Sequence, residues 1–149
     1  MSRQSARNRK EAQQKRWKGG FVPFPYAVLR SNEFARLTPY ETKLLLDLLA
    51  QYNGKNNGDL SAPFEKGMRE RGWKSKSTLY KAINGLKSKG FIIVTRQGGL
   101  HQCSLYATTF FSIDECGGKL EVKPTASPPG GWLLQARYIA SPPAAPKHV

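Results

Sequence analysis

A mainly α fold with a small β-hairpin is what the chain predicts, on three observations. Thr38-Pro39-Tyr40-Glu41 places a hydroxyl and a carboxylate in capping-box register, and Leu44, Leu45, Leu48 and Leu49 follow at helical spacing. Further on, Ser75 precedes a second amphipathic run in which Leu79, Ala82, Ile83 and Leu86 recur three and four residues apart. Then the β-branched run Phe91-Ile92-Ile93-Val94-Thr95-Arg96 meets Gln97-Gly98-Gly99 and a second stretch from Leu100 to Ala107, a pattern of two strands and a turn.

Pro63 to Ala107 is the organising stretch. Gly72 can adopt the left-handed conformation that ends a short first helix, and Ser75 can cap the backbone N–H groups of the next, which leaves a tight turn between them. Gly90 stops the second helix. With Leu79, Ala82, Ile83 and Leu86 facing inward, the opposite face takes Lys74, Ser77, Lys81, Asn84 and Ser88 and carries no aspartate or glutamate. A short helix, a glycine turn, a capped helix and a two-stranded ribbon is the order of parts in a winged helix-turn-helix, which presents its second helix to a DNA groove.

Upstream, Phe21-Val22-Pro23-Phe24-Pro25-Tyr26 is expected to pack as an extended apolar lead-in, since each proline disfavours the helical region for the residue before it. Ser31 to Leu37 allows at most two helical turns. The helix from Pro39 buries a broad face of Tyr40, Leu44, Leu45, Leu48, Leu49 and Tyr52, leaving Lys43, Asp47 and Gln51 on a narrow polar one. Asn53-Gly54-Lys55-Asn56-Asn57-Gly58-Asp59 reads as a turn cluster. Leu60-Ser61 is placed to pair with the hairpin, and Ser61 to cap the first helix of the pair. In the hairpin, Gly98 and Gly99 are expected to supply positive φ, with Arg96, Gln97, His101 and Gln102 flanking the tip.

Charge follows this organisation. The chain has 24 Lys+Arg against 10 Asp+Glu, a net charge of +14. Seven basic and one acidic residue lie in 1–20, and nine and one in 66–96, so the excess sits on the N-terminal segment and the two-helix segment. That favours a polyanionic partner, nucleic acid before membrane. Residues 1–20 lack apolar periodicity and read as a flexible basic arm, disordered or a frayed helix, able to follow phosphates or enter the minor groove. Residues 21–115 form the domain, and 116–149 a Pro/Gly-rich tail marked by Pro128-Pro129-Gly130-Gly131 and Pro142-Pro143. Within that tail Trp132-Leu133-Leu134 and Tyr138-Ile139 are apolar, read either as a motif for a protein partner or as a strap on the domain.

Other classes find little support. The sequence contains no Gly-x-x-x-x-Gly-Lys-Ser/Thr, His-Glu-x-x-His or Gly-x-Ser-x-Gly pattern, so no catalytic role, metal or cofactor is expected. Cys103 and Cys116 lack partners at zinc-ligand spacing and read as reduced thiols. His101 and Cys103, as alternate residues of a strand, would share one face. There is no apolar run of about 18 residues to span a membrane and no apolar core to a leader, so a cytoplasmic protein, on nucleoid or mobile-element DNA, is expected.

Gly72-Trp73-Lys74-Ser75-Lys76-Ser77-Thr78-Leu79-Tyr80-Lys81-Ala82 and Leu86-Lys87-Ser88-Lys89-Gly90-Phe91-Ile92 resemble the winged helix-turn-helix proteins of bacterial plasmids, phages and integrative elements, replication-initiator-like and regulatory members included. Leu37 to Leu45 and Leu105 to Thr108 share the likeness, which covers about residues 21–115. The resemblance implies that Ser75 to Ser88 is the recognition helix and Phe91 to Ala107 the wing. The chain has one such unit where two-unit initiators have two.

From the residues and the resemblance together, sequence-specific binding of double-stranded DNA is expected, in transcriptional or replication control of a mobile element. Lys74, Lys76, Ser77, Thr78, Lys81, Asn84 and Ser88 are the expected contacts from the turn and helix, Arg96 and Gln97 from the wing, and Arg7, Arg9, Lys10 and Arg16 from the arm. A homodimer and a protein partner held through the tail stay open. A non-catalytic adaptor in a replication complex, using the wing and the Trp132 segment, is the alternative, and RNA binding ranks third.

Overall fold

The helix at the centre of the core begins where Thr38 satisfies the backbone. Its Oγ1 accepts from the Glu41 N–H at 3.2 Å while Glu41 Oε1 accepts from the Thr38 N–H at 2.9 Å, the reciprocal pair of a capping box. The computed structural model describes residues 2–133. In order these form α1 (Arg3–Gln14), α2 (Tyr26–Leu29), α3 (Asn32–Ala35), α4 (Pro39–Leu49), β1 (Leu60–Ser61), a π-helical turn (Phe64–Met68), α5 (Lys76–Ser88), β2 (Ile92–Arg96), β3 (Leu105–Thr108) and a 3-10 turn (Cys116–Gly118).

Helices pack on a three-stranded antiparallel sheet of order β1-β3-β2. Leu60 pairs with Tyr106 and Ser61 with Leu105, so the expected hairpin gains a third strand. Gln51, just past the end of α4, holds β1 in place, since its side-chain amide accepts from the Ser61 N–H at 2.9 Å and donates to the Ser61 carbonyl at 2.8 Å. Ser61 is therefore a strand residue and not a helix cap. The π-helical turn after Pro63 has no side-chain cap.

The core joins Leu44, Leu45, Leu48 and Leu49 of α4 to Leu79, Ile83 and Leu86 of α5, to Phe91, and to Ile92 and Tyr106 of the sheet. Each fully buried leucine contributes about 1.5–3 kcal/mol of transfer free energy. The α4 face departs from expectation at two residues. Tyr40 is exposed, whereas Asp47 is 4% exposed and lies inside. A buried carboxylate needs donors, and Asp47 has Trp73 Nε1 at 2.8 Å, Arg71 Nε at 3.0 Å and Lys43 Nζ at 3.1 Å. The turn before α5 is thereby tied to α4.

Asn57 is no loosely turned loop residue. Its side chain is wholly buried, donates to the carbonyls of Thr108, Phe111 and Ser112, and accepts from the Thr108 N–H. In the lead-in, Phe24 stacks on Phe110 with centroids 5.4 Å apart, but Phe21 and Tyr26 stay exposed and Tyr26 opens α2.

The arm takes the helical one of its two expected forms, and the tail departs from a free linker. Residues 3–14 are helical, capped by Ser2, with a Gln4–Asn8 hydrogen bond and an Arg7–Glu11 ion pair one turn apart. Local pairs and good helix formers thus supply what apolar periodicity does not, and α1 buries no residue. Beyond Cys116 the chain is strapped to the domain: the Glu121 N–H donates to the Thr95 carbonyl at 2.7 Å and the Gly130 N–H to that of Thr109 at 2.7 Å. Trp132 is 8% exposed and packs on Phe91, so the strap reading holds for Trp132 and its ring is not offered to a partner. Leu134 and Tyr138-Ile139 lie outside the described residues.

Candidate nucleic-acid interface

α5 is presented by local chemistry at its start. Gly72 sits at φ +94°, where a Cβ would be strained, and Ser75 Oγ accepts from the Thr78 N–H at 3.3 Å. Asp47 holds this turn from below through Trp73 and Arg71. Leu79, Ala82, Ile83 and Leu86 are buried, so the helix cannot roll, and Ser77, Lys81, Asn84 and Ser88 are exposed on the other side.

The two flanks of that face differ. Thr78 and Lys81 border a recess with Thr38, Tyr40, Glu41 and Ala82 on the α4 side. Tyr80, Asn84 and Lys87 line a groove of about 420 Å³ shared with Gln97, Cys103 and Ser104 of the hairpin. Sequence reasoning did not single out Tyr80, which is 54% exposed. Its position between the apolar stripe and the polar face was the available signal.

Several expected contacts have internal partners. Lys76 Nζ stands 3.9 Å from Glu65, which also pairs with Arg69. Ser77 Oγ lies 2.8 Å from Ser75 Oγ, the Ser88 hydroxyl donates to the Gly85 carbonyl at 3.1 Å, and Thr78 is half-buried. Lys89 bonds to the buried Glu41 and serves the fold. Lys74, Lys81 and Lys87 are exposed cations with no ion pair among the described residues.

The hairpin is longer in its loop than the sequence suggests. β3 starts at Leu105, so Gln97 to Ser104 form the loop, and a bulge at Thr95 turns that residue inward onto the Gly58 carbonyl. Gly98 and Gly99 do not have positive φ; a Cβ at Gly98 would come within 2.6 Å of the Ser104 nitrogen, so close chain approach explains it. Arg96 is half-buried and Nη2 donates to the Cys103 carbonyl at 3.1 Å, which holds the side chain across the loop. Gln97 is exposed, its N–H bound to the Glu121 carboxylate at 2.9 Å. His101 and Cys103 are exposed loop residues and not strand neighbours.

On the arm, Arg9 and Lys10 are exposed on α1, Arg7 pairs with Glu11 at 3.0 Å, and the Arg16 guanidinium stacks 4.4 Å over the Phe21 ring. Arg16 keeps its charge accessible in that arrangement. Cys116 is half-buried, and burial, helped by the Asp59 and Asp114 carboxylates, pushes its thiol up from the ordinary range, so it stays protonated at neutral pH. Among the described residues no cluster of three or more His, Cys, Asp or Glu could hold a metal ion, and no helix is long and apolar enough to cross a membrane. Comparison of the chain with protein-family models, with curated proteins and with solved structures found no match.

Proposed function

We propose that the chain is a sequence-specific binder of double-stranded DNA with a winged helix-turn-helix, α5 being the recognition helix and the β2–β3 hairpin the wing. The observation that carries this reading is the outer face of α5. It is exposed, free of carboxylates, furnished with Ser77, Lys81 and Asn84, and backed by a helix face locked into the core. A rigid helix of that kind suits the major groove, where asparagine can pair with adenine and lysine can donate to guanine. Lys74 and Lys87 flank the face and suit phosphates, as do the exposed cations of α1.

Its use would be transcriptional or replication control on a mobile element, in keeping with the resemblance over about residues 21–115. Selection of bound duplexes from a random pool, followed by titration of the recovered site at several salt concentrations, tests the reading. Recovery of a defined motif, with affinity falling steeply as salt rises, supports it. Binding to no duplex refutes it, and salt-insensitive association with a replication protein alone would put the adaptor in its place.

A further inference from the structure

At the far end of the hairpin a leucine stands in solvent. Leu100 is 85% exposed, among residues that include no carboxylate from Gln97 to Ser104. The loop that carries it is braced. The Gly99 N–H donates to the Gln102 carbonyl at 2.9 Å and closes a turn with Leu100 and His101 at its corner. Below that turn the Gly98 N–H donates to Ser104 Oγ at 2.9 Å, Arg96 Nη2 to the Cys103 carbonyl at 3.1 Å, and the Gln97 N–H to Glu121 at 2.9 Å. An apolar side chain is thus held outward on a firm mount, with its transfer free energy unrealised.

The base of the same loop and the Tyr80–Asn84–Lys87 flank of α5 are the two walls of one groove. A duplex that took α5 in its major groove would therefore run its neighbouring minor groove past the loop. We infer that Leu100 is an apolar wedge that enters the minor groove, partly unstacks one base step and bends the duplex, with Gln97, His101 and Gln102 contacting the groove edges. This inference rests on the DNA-binding reading. Apolar wedges between base steps open kinks of roughly 20–90°, and the unstacking is repaid by the protein surface that the bent duplex then meets.

The test uses the full chain and a duplex recovered by selection from a random pool. End-to-end energy transfer reports bending, and 2-aminopurine placed at successive steps beside the α5 motif reports unstacking. The wild-type protein should shorten the end-to-end distance and raise 2-aminopurine fluorescence at one step. Leu100→Ala should lose both signals while keeping the selected motif and the salt slope, because it removes no charge. Leu100→Phe, another wedge, should restore them. Equal bending by Leu100→Ala, or wild-type binding with neither signal, overturns the wedge and leaves the DNA-binding reading standing; recovery of no duplex removes both.

Discussion

Glu41 and Gly85 approach so closely that a Cβ on Gly85 would overlap Glu41 Oε2. Helix propensity would favour alanine at this interior position by about 1 kcal/mol. Here the methyl group would have to displace a carboxylate that closes the α4 capping box and binds Lys89. Gly85→Ala should therefore lower stability by about 1–3 kcal/mol, the cost of overpacking, read by urea denaturation. Paired with Glu41→Ala, the same change should become neutral or favourable; simple additivity of the two would show that the contact is not the cause.

Asp47 sets the mounting of α5. Asp47→Ala would leave the Trp73 indole N–H buried without an acceptor and release Arg71 and Lys43, and should cost about 2–3 kcal/mol. Trp73→Phe keeps both cations on the carboxylate and should lose less in hydrogen bonding, about 1 kcal/mol. A thermal or denaturant titration of the two variants decides the order, and equal losses would count against the carboxylate as the hub.

Readout should separate by side chain. Asn84→Ala is expected to relax preference at one base pair, by about 1–3 kcal/mol of discrimination, with little change in non-specific affinity. Lys87→Ala should weaken all sequences alike and lower the slope of log K against log salt by about one. Lys89→Ala should instead act on stability, because its ammonium is held by Glu41. Base preferences and salt slopes for Asn84→Ala, Lys81→Ala and Lys87→Ala on one randomised site, with the denaturation midpoint of Lys89→Ala, check this, and an unchanged motif in both Asn84→Ala and Lys81→Ala would remove α5 as the reader.

Deleting residues 2–18 removes seven cations and one carboxylate without touching the core, since α1 buries nothing. If about half of these cations meet phosphates, the salt slope should fall by ~3, at ~0.9 per contact on B-DNA. Melting temperature should stay put. An unchanged slope would reduce the arm to a leader.

Trp132 closes the strap over Phe91. Trp132→Ala should destabilise the domain by about 3 kcal/mol, the lower end for a buried tryptophan, and open residues after Gly118 to protease. A variant as stable and as resistant as the wild type would show that the strap adds nothing.

Features whose causes lie within a helical turn could be read from the residues alone: the Thr38–Glu41 capping box, the Gly72 turn, the Ser75 cap and the inward stripe of α5. They also showed which face of α5 lacks acids, because that follows from spacing alone. Burial of Asp47 did not follow, since its indole donor comes 26 residues later, nor did that of Asn57, whose partner Thr108 is 51 residues away. In a pattern, both read as polar surface. Long-range packing was needed to turn Lys89 and Arg96 to internal acceptors, to bring other chain segments against Gly85 and Gly98, and to lay Trp132 on the domain. A polar side chain is spent on the fold or left for a partner according to which donor or acceptor the folded chain brings beside it, and that distance is not written in the neighbouring residues.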